Sequence, residues 1–91
     1  MITTNHRLLI GDARHMHEIE DESIDLVVTS PPYPMIEMWD DIFILQNPNI
    51  KNSLINNDGS SAFELMHQEL DKAWNEVCRV LRPGGIACIN I

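Results

Sequence analysis

Ile24-Asp25-Leu26-Val27-Val28-Thr29-Ser30-Pro31-Pro32-Tyr33 is the stretch whose reading decides the fold. Its first six residues are rich in β-branched and aliphatic side chains without strict alternation, the pattern of a strand covered on both faces in a parallel sheet. Pro31-Pro32 ends the strand, because two successive residues without an N–H cannot continue a central ladder. Upstream, His6 to Gly11 is a short apolar run closed by Gly11-Asp12, expected to be another buried strand ending in a turn. Ala13 to Ile19 has room for a helical turn or two, and Asp21-Glu22-Ser23 is a polar break.

Downstream, Pro34 to Ser60 carries only a weak pattern. Trp39-Asp40-Asp41-Ile42-Phe43 can start a helix, while Asn47-Pro48-Asn49 and Asn56-Asn57-Asp58-Gly59 are turn formers, so the segment is expected to be a mobile loop with one helical piece. Ser61 and Glu64 form a capping box, in which each side chain satisfies the other's backbone donor at a helix start. Phe63, Met66, Leu70, Trp74, Val77 and Leu81 then recur at three- and four-residue steps, giving a long helix one apolar face, with Arg79 and Arg82 at its negative end. Pro83-Gly84-Gly85 is expected to end it, and Ile86 to Ile91 to begin another buried strand. The order strand, short helix, strand, loop, long helix, strand is that of crossover units on a parallel sheet, an α/β architecture. Three strands are fewer than a whole doubly wound domain needs.

The 91 residues have 44% hydrophobic and 22% charged content, as ordinary soluble globular sequences do. One small domain is the most this length supports, with marginal stability. No apolar run is long enough for a membrane helix, and the N-terminus lacks the basic start and apolar core of a signal peptide, so a cytoplasmic location and no membrane partner are expected. Cys78 and Cys88 lie within apolar patterns and are expected to be buried free thiols. The formal charge is −8. A surface that acidic repels a phosphate backbone, so any grip on nucleic acid must come from other residues.

Ser30-Pro31-Pro32-Tyr33 falls just past the C-terminal end of a strand, where open α/β sheets place their ligands. At average composition such a tetrapeptide arises by chance at a given position on the order of once in 10⁵. Its chemistry suits an exocyclic base amine, whose lone pair is delocalised into the ring until both hydrogens are held by acceptors that favour a pyramidal nitrogen. Ser30 Oγ can be one acceptor. The carbonyl of Pro31 can be the other, because Pro32 forces Pro31 into an extended conformation and fixes where that oxygen points. Rigid acceptors aimed at developing positive charge stabilise a transition state without reorganisation. Tyr33 offers a flat apolar face to a base flipped out of a duplex, and such stacking is worth about 1–3 kcal/mol.

Thr29-Ser30-Pro31-Pro32-Tyr33 resembles the catalytic motif of the site-specific DNA amino-methyltransferases, which reads Ser or Asp, Pro, Pro, then an aromatic. The serine form is typical of the cytosine N4 enzymes and the aspartate form of the adenine N6 enzymes, with exceptions. Gly11-Asp12, followed by Ser23-Ile24-Asp25-Leu26, is also similar to the family, in which an Asp at that place accepts from the adenine amine of S-adenosylmethionine. Val80-Leu81-Arg82-Pro83-Gly84-Gly85 resembles the family's helix-to-strand connection, which many unrelated methyltransferases share. The resemblance implies a Rossmann-like three-layer fold with a mostly parallel sheet, incomplete in this chain. It implies methyl transfer from S-adenosylmethionine to cytosine N4 in double-stranded DNA with a flipped target base. Ser30, Pro31, Pro32 and Tyr33 would be catalytic and Asp12 cofactor-binding. Adenine N6 methylation is the alternative within the class, and a non-catalytic fragment or subunit completing a methyltransferase on another polypeptide is the alternative outside it.

One departure stands out. The family holds its cofactor with a Gly-rich loop after a strand, and the four glycines here, Gly11, Gly59, Gly84 and Gly85, do not supply it. In a permuted group of these enzymes the catalytic motif precedes the cofactor loop and the target-recognition region. Residues 1–91 therefore read as the N-terminal catalytic portion of one methyltransferase domain, with a complementary polypeptide or a missing C-terminal region carrying the rest. His15 and His17 have a spacing that could chelate a metal, but no further ligand set completes a site, and they are expected to face solvent. Asp12 can also serve simply as a cap for its turn. Trp39, Asp40 and Asp41 can line the pocket, and Trp39 can equally pack its segment onto the sheet, whereas Trp74 is expected to pack the long helix.

Overall fold

A computed structural model describes residues 1–91. The elements are β1 (Ile24–Thr29), a 3-10 turn (Glu37–Trp39), α1 (Asp40–Gln46), α2 (Asn49–Ile55), α3 (Gly59–Val80) and β2 (Leu81–Ile89). The architecture is α/β. β1 and β2 form a two-stranded parallel sheet, with the three helices in the connection between them. Parallel neighbours require such a crossover, since no tight turn can join them.

The core is helical. Phe43 of α1, Ile50 of α2, and Met66 and Leu70 of α3 form one buried cluster, with Trp39, Ile44, Leu54, Leu65 and Trp74 packed against it. The segment from Pro34 to Ser60 is thus not a mobile loop with one helical piece but two helices that supply half of the cluster. Each has seven residues and one fully buried side chain, too little periodicity to read. The turn formers Asn47-Pro48-Asn49 do separate the two helices. Trp39 packs on this helical cluster and not on the sheet.

α3 begins two residues before the expected capping box. Asp58 is its N-cap, accepting from the Ser61 amide at 3.1 Å, which replaces the Ser61–Glu64 pair. The helix ends at Val80, and the chain passes directly into β2 instead of running on to Pro83-Gly84-Gly85. Those three residues lie in an irregular part of the strand, where the pairing steps from Ile24 opposite Leu81 to Leu26 opposite Ile86. Gly84 has φ +82°, and a Cβ on Gly85 would lie 2.9 Å from the Arg82 carbonyl oxygen and 3.2 Å from that of Ile24. The bulge needs both glycines.

Three further expectations are corrected. His6 to Gly11 forms no strand: residues 1–10 are exposed and outside the sheet, because an apolar run becomes a strand only with a ladder partner and β1 pairs with β2 alone. β1 is not covered on both faces, since Leu26 and Val28, with their neighbour Ile86, are exposed. Cys78 and Cys88 are free, as expected, but exposed. Ala13 to Ile19 makes two turns, closed by His15 N–H to the Asp12 carbonyl and Ile19 N–H to the Met16 carbonyl, both at 2.9 Å. No helix is long and apolar enough to cross a membrane.

Candidate active site at the end of strand β1

The C-terminal end of β1 opens onto a cleft of about 400 Å³. Thr29, Ser30, Pro31 and Pro32 line it together with Gly11, Asp12, Ala13, Arg14 and Met16 of the preceding loop. Gln46 at the end of α1 also contributes, as do Glu69, Leu70, Ala73, Trp74 and Val77 of α3. Asp12 and the Ser-Pro-Pro turn, separate in sequence, share one cleft. Ser30 is exposed there, while Pro31 and Pro32 are half-buried. Tyr33 is outside the lining: it is half-buried beside the turn, and its hydroxyl donates to the Asn90 carbonyl at 3.3 Å. Asn90 in turn donates its amide to the Thr29 carbonyl at 2.9 Å, so the turn is tied to the end of β2. Beyond it, Met35 has φ +65° and its amide donates to Met66 Sδ at 3.3 Å, anchoring the exit of the turn on the helical core.

The loop carrying Asp12 has no regular structure of its own, and α3 holds it in place through two arginine–carboxylate groups. In the first, Arg14 forks onto Asp12, with Nη2 at 2.7 Å from Oδ2 and Nε at 3.0 and 3.1 Å from the two oxygens, while its backbone amide donates to Oδ1 at 2.9 Å. Arg14 Nη1 also donates to Oε2 of Glu69 at 2.8 Å, and Lys72 donates to Oε1 of Glu69 at 2.9 Å. Glu69 is only 3% exposed. The side-chain hydrogen bond from Arg14 holds the Asp12 carboxyl below its usual range, helped by the backbone bond. Burial pushes the Glu69 carboxyl up, but the bonds from Lys72 and Arg14 outweigh it and leave the group below its usual value.

The second group lies two turns along α3. Arg79 pairs with Glu76 at 2.9 Å, donates to the carbonyls of Ile19 at 2.8 Å and Met16 at 2.9 Å, and reaches Asp21 at 2.7 Å. Glu76 Oε2 accepts the Met16 amide at 2.7 Å. The Arg79 hydrogen bond and then the Met16 amide pull the Glu76 carboxyl down to about 2. His15 and His17 are exposed, the latter 3.3 Å from Glu18, and no group of three His, Cys, Asp or Glu is arranged to hold a metal.

Of the five residues singled out in the sequence, Asp12, Ser30, Pro31 and Pro32 meet in the cleft and Tyr33 stands beside it. Arg14, Gln46 and Glu69 also line the cleft and are not singled out by the sequence alone. A signal existed for Glu69: it falls in the apolar stripe of α3 at a position between Met66 and Ala73, and a carboxylate there requires a partner. Arg14 and Gln46 gave none, since nothing local says which cleft they enter.

Over this stretch the chain's homologues are type II methyltransferases. The type II methyltransferase M.MjaI of Methanocaldococcus jannaschii is 54% identical across 99% of the chain, and M.MthZI of Methanothermobacter thermautotrophicus is 52% identical across 97%. The chain spans 33% of the length of the first relative and 25% of the second. No family model and no solved structure matches it.

Proposed function

We propose that residues 1–91 are the base-activating portion of a site-specific DNA methyltransferase that uses S-adenosylmethionine and modifies the N4 amine of cytosine in duplex DNA. The observation that carries this reading is the meeting of Ser30-Pro31-Pro32 and Asp12 in one cleft at the C-terminal end of a parallel strand. The two relatives' names agree with methyl transfer, and the serine form of the motif favours cytosine over adenine.

The residues present suit the nucleoside end of the cofactor. The cleft lies within the range of about 300–1,000 Å³ usual for small-molecule sites, with an apolar wall from Leu70, Ala73, Trp74 and Val77 and, beside the buried Glu69, one exposed carboxylate, Asp12, to accept from an amine. When bound, S-adenosylmethionine supplies an electrophilic methyl on a positively charged sulfur. Ser30 Oγ and the Pro31 carbonyl accept the two amine hydrogens of the target base, leaving its lone pair free for attack. Tyr33, held by Asn90, offers its ring to the flipped base. The cofactor's amino-acid end and the grip on DNA phosphates come from other residues, since the chain has no Gly-rich loop and carries a charge of −8.

Mass analysis of nucleosides from DNA exposed to the assembled enzyme tests the reading. N4-methylcytosine is expected. N6-methyladenine as the product would transfer the same site to the adenine reaction, and an unmodified base would remove it from methylation altogether.

A further inference from the structure

We propose that Arg14 and Glu69 are positioning residues, which hold the Asp12 carboxylate in one orientation at the cleft with a single acceptor direction left for a ligand amine. The inference rests on the reading of Asp12 as the group that accepts from the cofactor.

Asp12 is exposed on a loop without regular structure, where a free carboxylate would turn about its two side-chain bonds. Arg14 prevents this. Its planar fork and its own backbone amide bring three N–H donors to the two oxygens, with Nε shared between both, and a carboxylate has about four lone-pair directions, so at most one remains open. Arg14 would itself be a long, flexible anchor if its remaining nitrogen were not donated to Glu69. Glu69 is buried and sits in the middle of the 22-residue α3, on the same side as Met66 and Leu70, which pack in the helical core. Lys72 supplies a second cation to Glu69, which keeps the buried carboxylate charged. Order therefore passes from a rigid helix through Glu69 and Arg14 to the acceptor.

Position and simple charge make opposite predictions for Glu69→Gln. Glu69 is a negative group near Asp12, so removing its charge alone eases ionisation of Asp12 and lowers its titration midpoint. If Glu69 instead steadies Arg14, its loss loosens the fork and the Asp12 midpoint rises. The other charged groups about Asp12 are His15 on its own loop and Lys72 on α3, both unchanged in this variant.

The first measurement is the carbon-13 titration of the Asp12 carboxyl, labelled in this chain and followed in its complex with a polypeptide matching the remaining part of the M. jannaschii relative, with circular dichroism to confirm that each variant is folded. A rise in Glu69→Gln, and a larger one in Arg14→Gln, is expected. A fall or no change in Glu69→Gln would overturn the positioning role.

The second is calorimetric affinity for S-adenosylmethionine in the complex of this chain with a polypeptide matching the remaining part of the M. jannaschii relative. Glu69→Gln is expected to weaken binding about three- to tenfold, the effect of one ordinary hydrogen bond, and to cost nothing further in an Asp12→Ala background. An equal loss in both backgrounds would make Glu69 merely structural and overturn the proposal. If Asp12→Ala itself left affinity unchanged, the reading of Asp12 would fail first, and the titration would still report separately whether the fork exists.

Discussion

At the scale of single residues, the roles proposed for Ser30 and Pro31 require only rigid acceptors in the right place. Pro31 is set by Pro32, and the turn as a whole by the Asn90–Thr29 and Met35–Met66 contacts at its two ends. Ser30→Ala removes one acceptor and is expected to reduce turnover in the assembled enzyme about 10²–10³-fold, the usual effect of losing one preorganised hydrogen bond. Cofactor affinity should not change. Steady-state rates with S-adenosylmethionine titrated separately check both statements. Gly85 is a structural counterpart: a methyl there meets two backbone carbonyl oxygens that cannot move independently. Gly85→Ala is expected to destabilise the chain by roughly 1–3 kcal/mol, as overpacking does, and a denaturant titration measures it.

α3 is the element on which the site depends, because its inner face carries both the core residues Met66 and Leu70 and the carboxylates Glu69 and Glu76 that hold the Asp12 loop. Met66→Ala is expected to cost about 2–5 kcal/mol and, in so small a core, to release the exit of the Ser-Pro-Pro-Tyr turn as well, seen as faster amide exchange at Met35. Glu76 gives a pH test. Its carboxyl titrates at about 2 in the folded chain and at 4.5 when unperturbed, so its contribution is complete above pH 4.5 and is lost as pH falls toward 2. Thermal melts between pH 6 and pH 2 should show that decline, and Glu76→Gln should flatten it and speed exchange of the Met16 amide. The legible part of the sequence was of this kind: β1, most of α3 and the Pro-Pro stop announce themselves by local pattern. The illegible part depended on partners. His6 to Gly11 has the composition of a strand but no ladder neighbour, and α1 and α2 bury one side chain each. For the site, the motif and Asp12 could be named in advance, whereas Arg14 and Glu69 acquire a role only when the loop meets α3.

The whole molecule is loosely built. Its radius of gyration is 15.8 Å, against about 12 Å for a compact domain of this length. Only 8 of 91 residues are buried, and the sheet leaves Leu26, Val28 and Ile86 exposed on one face. Stability in isolation should therefore be low. On the proposed reading the site is divided in the same way, with groups for the base amine and the cofactor's adenine but no Gly-rich loop for the cofactor's amino-acid end. Holding a methyl donor and an amine in line can account for about 7–11 kcal/mol of barrier lowering, so the chain alone is expected to be inactive. The most direct measurement is transfer of labelled methyl from S-adenosylmethionine into duplex DNA by this chain mixed with a polypeptide matching the rest of the M. jannaschii relative, with each piece alone as control. The expected result is labelled DNA from the mixture, none from either piece, and an initial rate about 10²–10³-fold lower from a mixture containing Ser30→Ala. A mixture shown by sedimentation to form a folded complex, yet transferring no methyl, would contradict the assignment of residues 1–91 as the base-activating part of the enzyme.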